Sequence, residues 1–282
     1  MRSARPREAR GVSPPANSIR SVSTADSERT ASERREALKQ VYLQAKGCVR
    51  CPELAATRKT VVFGAGNADA DLMFVGEAPG ASEDEQGVPF VGRAGKLLET
   101  LLGEIGIERK DVFIANTLKC RPPGNRDPLP IEIENCQDYL RKQVELIEPT
   151  VICTLGNFST KLLRGDPTGI TRLHGQPEVL TLGRRAVRLY PIFHPAAALY
   201  TPRMLETLRE DFGRLPELLA QGAPEQPAFE EVPELDDPPH ADAQAGRGAA
   251  PEQSAAVTEP PADPSAGPTA EQPDEPDQLG LF

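Results

Sequence analysis

Short apolar runs alternate with segments of helical periodicity through the middle of the chain. The apolar runs are rich in β-branched and aromatic side chains and end at glycine, proline or polar residues, which is typical of buried strands. This pattern predicts strands at residues 71–76, 112–116, 150–155 and 188–193. Leucine and isoleucine at helical spacing predict helices at residues 94–105, 130–147 and 203–219, with a further short helix after Gly156.

The alternation of strands and helices predicts an α/β fold. A chain with this order of elements forms a mostly parallel sheet, here of four strands, with helices on both faces. Ligands of such folds bind beyond the carboxyl ends of the strands. Residues 77–90 follow the first strand, Asn116 ends the second, and His194 follows the last. We therefore expect a functional site that combines these three parts of the chain.

The two ends of the chain differ from the middle in charge and composition. The 282 residues carry a formal net charge of −10, but residues 222–282 hold 14 acidic residues against one basic residue, together with 12 prolines. This composition cannot bury enough apolar surface to fold. We predict disordered segments at residues 1–37 and 222–277 around one folded domain at residues 38–221. Since the acidic charge belongs to the end of the chain, it does not exclude a nucleic-acid partner for the domain.

The sequence carries no sign of a membrane or secreted protein. No run approaches the ~20 apolar residues that span a bilayer, and the first 40 residues have no apolar segment of the kind that secretory signals need. Five cysteines in such a chain favour metal or redox chemistry over a disulfide framework. We expect a protein of the reducing cytoplasm, and a monomer, because no long apolar stripe is left for a partner copy.

Four of the five cysteines form a pattern. Two residues separate Cys48 from Cys51, and fifteen separate Cys120 from Cys136. Two thiolates at the first spacing can reach one metal, and four thiolates suit either zinc or an iron–sulfur cluster. Cys153 lies inside a predicted strand and is interpreted as a core residue.

Four sequence motifs, in order, resemble those of the family 4 uracil-DNA glycosylases. They are GEAPG at residues 76–80, PFVGRAG at 89–95, NTLKCRPPGNR at 116–126 and HP at 194–195. The cysteine spacing is similar as well, and the likeness extends from about residue 38 to residue 219. The resemblance implies a three-layer αβα sandwich, hydrolysis of the N-glycosidic bond of deoxyuridine in DNA, and base-excision repair. It also implies a 4Fe–4S cluster on Cys48, Cys51, Cys120 and Cys136, in preference to zinc.

The chemistry of uracil recognition assigns roles to residues near the strand ends. A base that leaves the helix needs a flat apolar face to stack on, for which Phe90 is the candidate. The amide of Asn116 offers one donor and one acceptor, which match uracil O4 and N3–H. Backbone groups of Glu77 and Ala78 are expected to approach the base.

Cleavage of the bond requires groups that stabilise a cationic sugar and a uracil anion. The resemblance assigns stabilisation of the departing base at O2 to His194, and it assigns Asn125 to the surroundings of the catalytic water. Ala78 stands where the best-known uracil-DNA glycosylases carry an aspartate, so another acid must position the water. The family match points to Glu83, and Glu77 and Asp84 are the alternatives.

Cationic residues around the motifs indicate how DNA would be held. Arg93, Lys119, Arg121 and Arg126 are expected to contact phosphates. Residues 196–200 correspond to a loop that enters the minor groove in relatives, and Leu199 is the predicted wedge.

The last five residues differ from the acidic segment before them. Gln278, Leu279, Leu281 and Phe282 resemble the peptide by which bacterial repair proteins bind the sliding clamp. A disordered linker ending in such a peptide would keep the enzyme close to DNA at high effective concentration.

Two other functions compete with the enzyme. The chain could recognise uracil in DNA without turnover, or it could be a non-enzymatic iron–sulfur module attached to the clamp. Relatives that trap uracil covalently carry a KRRIH signature on an insertion, and the run from Leu118 to Pro123 has no such insertion.

Overall fold

The computed structural model describes residues 29–228. The strands are β1 (Ala65–Gly66), β2 (Leu72–Gly76), β3 (Phe113–Asn116), β4 (Val151–Leu155), β5 (Glu178–Leu182) and β6 (Arg185–Ile192). The helices are α1 (Ala31–Lys46), α2 (Pro52–Thr57), α3 (Ala81–Gln86), α4 (Arg93–Glu104), α5 (Pro130–Ile147), α6 (Asn157–Arg164), α7 (Ile170–Leu173), α8 (Pro195–Tyr200), α9 (Pro202–Gly213) and α10 (Leu215–Ala220). Two 3-10 turns lie at Arg109–Asp111 and Pro123–Asn125.

The sheet has its parallel strands in the centre and antiparallel strands at both edges. Its order is β1-β3-β2-β4-β6-β5, in which β3, β2, β4 and β6 are parallel. The predicted α/β class and the four predicted strands are confirmed, but the sheet has six strands rather than four. The sequence analysis missed β1 because it has two residues, and β5 because its residues are not fully buried and form no apolar run.

Alternating side chains of the central strands build two cores, one on each face of the sheet. Met73 and Val75 of β2 pack toward α1, α2 and α5, whereas Leu72 and Phe74 pack toward α4, α9 and α10. This alternation follows from the two-residue period of a strand. Because helices cover both faces, the fold is the expected three-layer sandwich.

The C-terminal helix of the domain is interrupted. The pattern predicted one helix over residues 203–219, which is wrong, because α9 ends at Gly213 and α10 begins at Leu215. Pro216 has no N–H to donate, and its ring would collide with the carbonyl four residues earlier in a continuous helix.

The described chain extends beyond both predicted domain limits. Helix α1 begins at Ala31, upstream of the predicted start at residue 38, and Thr30 caps it in a reciprocal pair with Glu33. Beyond residue 221, the Gln226 amide donates to the Ala186 carbonyl (3.0 Å) and accepts from its N–H (3.1 Å). Most of the predicted disordered segments, and the candidate clamp peptide, lie outside the described residues. No helix within residues 29–228 has the length and apolar character that crossing a bilayer requires.

Candidate active site

A cavity of about 480 Å³ opens at the carboxyl ends of β2, β3 and β6. This is the edge at which the topology of a parallel sheet predicts a ligand site. The cavity is lined by Glu77, Ala78, Pro79, Gly80, Glu83, Phe90, Ala94, Asn116, Pro122, Asn125, Arg126, His194 and Ala196. A neighbouring groove of about 700 Å³ shares Glu77 and His194 with it.

The cavity brings the Phe90 ring and the Asn116 side chain together across a glycine. Gly76 ends β2 and is paired in register with Asn116 at the end of β3. A Cβ atom at Gly76 would lie 2.4 Å from Asn116 Oδ1 and 2.8 Å from Phe90 Cζ. Only glycine therefore permits the amide and the ring to approach each other so closely.

Phe90 is held in an unusual backbone conformation. Its φ is 53°, in the left-handed region that non-glycine residues rarely adopt. The guanidinium of Arg109 donates to the carbonyls of Phe90 (3.2 Å) and Pro89, and a Cβ at Gly95 would fall 1.7 Å from the Phe90 carbonyl oxygen. These contacts fix the Phe90 ring, whose centre lies 5.6 Å from that of His194.

The carboxylate of Glu83 is fixed by backbone donors. The N–H groups of Val91 and Gly92 each donate to Oε1 at 3.1 Å. A Cβ at Gly80 would lie 2.7 Å from Oε2, so the second oxygen also packs closely against the backbone of the cavity wall. Glu83 is thus an anchored acid at the cavity, on the first turn of α3.

The alternative acids occupy different environments. Asp84 is buried and accepts from the N–H groups of Lys59 (2.9 Å) and Thr60 (3.3 Å), so it stabilises the fold. Glu77 lines the cavity, and burial, followed by the charge of Asp127, raises its pKa. A raised pKa favours the protonated form, which makes Glu77 the poorer stabiliser of a cation.

The carbonyl of Glu77 is not available to a ligand. It accepts from the Leu118 N–H (3.0 Å) and from the Thr117 hydroxyl, which uses both lone pairs of the oxygen. The predicted backbone contact from Glu77 stays a prediction, and its carbonyl is already occupied by these two donors. Ala78 lines the cavity as expected.

His194 presents a neutral ring to the cavity. It caps α8, and its Nδ1 accepts from the Ala196 N–H at 3.1 Å. Because a backbone N–H can only donate, the ring proton of neutral His194 lies on Nε2. Burial lowers the pKa of His194 to about 4, against the opposing negative charge of Glu83. His194 is thus a neutral hydrogen-bond donor at physiological pH.

Asn125 lies at the rim of the cavity. It is exposed, has a φ of 55°, and accepts at Oδ1 from Arg121 Nε at 2.7 Å. This contact orients the amide and links it to one of the predicted phosphate contacts.

The four patterned cysteines border one shared space. Cys48 and Cys51 lie between α1 and α2, Cys120 follows β3, and Cys136 belongs to α5. Three of the sulfur atoms receive hydrogen bonds. Arg58 Nη1 donates to Cys120 (3.3 Å), the Lys119 N–H donates to Cys136 (3.3 Å), and Asn135 Nδ2 donates to Cys51 (3.6 Å).

Burial is the main influence on three of these thiols. It raises the pKa of Cys120 to about 11 and also raises the pKa of Cys51 and Cys136. At Cys48 burial acts in the same direction, but the interactions with Tyr139 and Arg50 outweigh it and lower the pKa. Within residues 29–228, no three His, Cys, Asp or Glu side chains are arranged to hold a single metal ion. Cys153 is fully buried in β4, which agrees with its interpretation as a core residue.

Comparison with known proteins identifies the family. The family model described as the uracil DNA glycosylase superfamily matches residues 63–215. The chain belongs to the uracil DNA glycosylase superfamily. This finding confirms the resemblance that the four motifs indicated.

Several relatives of this superfamily member are named type-4 uracil-DNA glycosylase. The type-4 uracil-DNA glycosylase of Archaeoglobus fulgidus is 43% identical over 193 residues, which are 67% of this chain and 96% of the relative. Proteins of the same name from Sulfurisphaera tokodaii and Saccharolobus solfataricus are both 44% identical. The first match covers 65% of this chain and 85% of the relative, and the second covers 63% and 84%.

Two of the four cations predicted to bind phosphate have other partners in this glycosylase-family domain. Lys119 is 1% exposed, so its predicted phosphate contact is wrong. Arg126 forms a bidentate salt bridge with Glu132 (2.9 and 2.6 Å) and a further salt bridge with Glu53 (3.0 Å). Its charge is therefore already neutralised. Arg93 is exposed and Arg121 is half-buried, and both remain candidates.

The predicted wedge lies beside a more exposed side chain. Leu199 is half-buried, whereas Tyr200, the last residue of α8, is 79% exposed. His194, which lines the cavity, caps α8, so both residues lie within six positions of the site along the chain. Tyr200 is therefore the more solvent-exposed of the two side chains.

The sequence analysis missed the residues that position the site. Gly76 and Gly95 lie within the quoted motifs, and a glycine at a strand end or early in a helix is the usual signal of a close approach. Arg109 carried no signal, because it belongs to no motif and contacts Phe90 only through the folded chain.

Proposed function

We propose that this protein is a monofunctional DNA glycosylase that hydrolyses the N-glycosidic bond of deoxyuridine in DNA. One observation supports the proposal above all others. The Phe90 ring, the Asn116 side chain, the neutral His194 and the anchored Glu83 all line one cavity of about 480 Å³ at the strand ends. The names of the relatives agree with it.

Recognition of uracil would use the ring and the amide. A base extruded from the helix would stack on Phe90. Asn116 would accept from uracil N3–H through Oδ1 and donate to O4 through Nδ2. Cytosine presents the reverse order of donor and acceptor, so an amide held in this orientation would reject it.

Cleavage would use the histidine and the acid. The C1′–N1 bond breaks with its electron pair passing to the base, and Nε2–H of His194 stabilises the charge that develops at uracil O2. Glu83 stabilises the positive sugar and orients a water, whose oxygen bonds to C1′ while its proton passes to the carboxylate. Glu83 then loses this proton to solvent and the uracil anion takes one up at N1, so the products are free uracil and an abasic site, as base-excision repair requires.

We further propose that the four cysteines hold a 4Fe–4S cluster. The donor set fits, because four thiols border one space and backbone, amide and guanidinium groups donate to the sulfur atoms. When bound, the cluster would crosslink the α1–α2 connection, the loop after β3 and helix α5. Zinc is the alternative, and iron content with a visible spectrum would distinguish the two. Such a site requires the reducing conditions of the cytoplasm.

DNA would be held around the cavity. Arg93 and Arg121 are the proposed phosphate contacts, with Leu199 or Tyr200 filling the gap left by the base. The clamp contact through residues 278–282 remains a prediction.

Uracil excision tests the function directly. The reconstituted protein is incubated with single- and double-stranded oligonucleotides containing one uracil, and alkali cleaves the abasic product. We expect Glu83→Gln to lower kcat by about a thousandfold, whereas Glu85→Gln on the same helix, whose partner is surface Lys59, keeps the wild-type rate. A wild-type protein that binds the uracil strand without cleaving it would contradict this proposal and favour the binding module.

A further inference from the structure

A lysine ammonium is buried beside the four cysteines. Lys119 is 1% exposed, and its Nζ donates to the Asn116 carbonyl (2.8 Å) and to Gln143 Oε1 (2.6 Å). Gln143 is fully buried and donates in turn to the Phe63 carbonyl (2.9 Å). Lys119 therefore joins β3 to helix α5 through hydrogen bonds that no solvent reaches.

Both hydrogen-bond acceptors of this ammonium are neutral. A buried charge is costly unless an opposite charge compensates it. The Phe63 ring lies 5.8 Å from the ammonium, and the Lys119 backbone N–H donates to Cys136 Sγ at 3.3 Å. The same residue therefore contacts the cysteine region directly, and the thiolates of a bound cluster would supply the opposite charge.

The side chain of Lys119 also contacts Asn116, the residue proposed to recognise the edge of uracil. The Lys119 ammonium closes a turn onto the carbonyl of Asn116, three residues earlier in the chain. The intervening backbone is fixed to β2, since the Thr117 N–H donates to Gly76 and the Leu118 N–H donates to Glu77, each at 3.0 Å. A change at Lys119 would therefore alter the position of the Asn116 amide.

We propose that Lys119 is a positioning residue that couples the cysteine-held group to the uracil pocket. Its backbone N–H holds the sulfur of Cys136, its ammonium fixes the backbone of Asn116, and its positive charge would balance the thiolates of a bound cluster. The proposal rests on the proposed function and on a thiolate-held cluster, and it concerns neither DNA phosphates nor the bond-breaking step.

The test compares Lys119→Met, which removes the charge at similar length, with Lys119→Arg, which keeps it. Lys142→Met is the matched control, because Lys142 lies on α5 beside Gln143 but is exposed. Each protein is reconstituted without oxygen, and two quantities are measured. They are the reduction potential of the cluster, by spectroelectrochemistry, and the affinity for free uracil, by equilibrium binding.

We expect Lys119→Met to shift the potential to a more negative value, because a nearby positive charge stabilises the reduced, more anionic cluster. We expect it to weaken uracil binding about tenfold, with Lys119→Arg closer to wild type and Lys142→Met unchanged. If Lys119→Met fails to assemble, retention of iron by Lys119→Arg but not by Lys119→Met supports the counter-charge role.

Two outcomes would overturn the proposal. The first is a Lys119→Met protein with wild-type potential and wild-type uracil affinity. The second is a wild-type protein that takes up no iron. A wild type that binds uracil but leaves DNA intact would instead contradict the proposed excision, because neither measurement here requires turnover.

Discussion

The cavity and the cysteine region are stabilised in opposite ways. In the cavity, two backbone N–H groups hold the Glu83 carboxylate and a third fixes the His194 ring, so the chain itself prepares the reacting groups. In the cysteine region, burial raises the pKa of Cys51, Cys120 and Cys136, so the chain alone disfavours three of the four thiolates. Binding of a metal group reverses this preference by deprotonating the thiols.

Because of this difference, we expect substitutions in the cavity to change the catalytic rate and substitutions of the cysteines to change the stability of the protein. Substitution of a cavity residue should lower the rate and leave the fold intact, since polar groups at active sites are seldom needed for stability. Loss of a cysteine should lower stability first, because three segments of the chain lose their shared attachment. The following predictions address this separation from the largest expected effect to the smallest.

Beside Glu83→Gln, His194→Ala should produce the largest loss of activity. It removes the Nε2–H donor, and loss of one donor to a developing anion lowers kcat by about 100- to 1,000-fold. Iron content and the free energy of unfolding should stay close to wild type, because the ring makes its side-chain hydrogen bond only to Ala196 in the α8 cap. Single-turnover excision and chemical denaturation measure the two quantities, and a parallel loss of stability would contradict the separation.

Cys136→Ser should act on stability instead. We expect loss of the bound iron and a fall of about 3 kcal/mol in the free energy of unfolding, since metal binding and folding are linked. Cys153→Ala is the matched control, because this thiol is also buried but lies outside the set of four. It should keep its iron and lose only about 1 kcal/mol of packing. Equal iron loss in the two variants would show that the four cysteines are not a set.

The sequence predicted the parts of the molecule that depend on local pattern. Buried parallel strands are continuous apolar runs, so β2, β3, β4 and β6 were found, whereas the two edge strands were not. Glu83 and His194 were predicted because Glu83 lies between two family motifs after the first strand and His194 follows the last strand. The environment of Lys119 could not be predicted, since a lysine in a motif gives no sign of burial. The tertiary fold determines whether such a lysine is exposed to DNA phosphates or buried beside the cysteines.

Arg109→Met should have an intermediate effect. Its guanidinium holds the carbonyls of Pro89 and Phe90, so its loss frees a backbone that has a φ of 53° at Phe90. We expect KM for a uracil oligonucleotide to rise about tenfold with a smaller change in kcat, because the stacking surface would be displaced. Arg209→Met, which removes an exposed pair with Glu104, is the control. An unchanged KM in Arg109→Met would show that the ring holds its position without the arginine.

The pH dependence should show the smallest effect. With the pKa of His194 lowered to about 4, only about a tenth of the ring is charged at pH 5, so excision should lose little to this group above that pH. A decline centred near the ordinary value of 6.5 would contradict the burial of the ring.

The lowered pKa of His194 should also change how the free energy of unfolding depends on pH. As pH falls from 6.5 to about 4, the imidazole of the unfolded chain takes up a proton while the folded ring stays neutral, so His194 lowers the free energy of unfolding across this window and has no such effect above it. His194→Gln should therefore show a flatter decline than wild type between these pH values in denaturant titrations. Identical slopes would mean that the folded ring takes up its proton over the same pH range as the unfolded one, and the cavity would then present a cation to the departing base below pH 6.5.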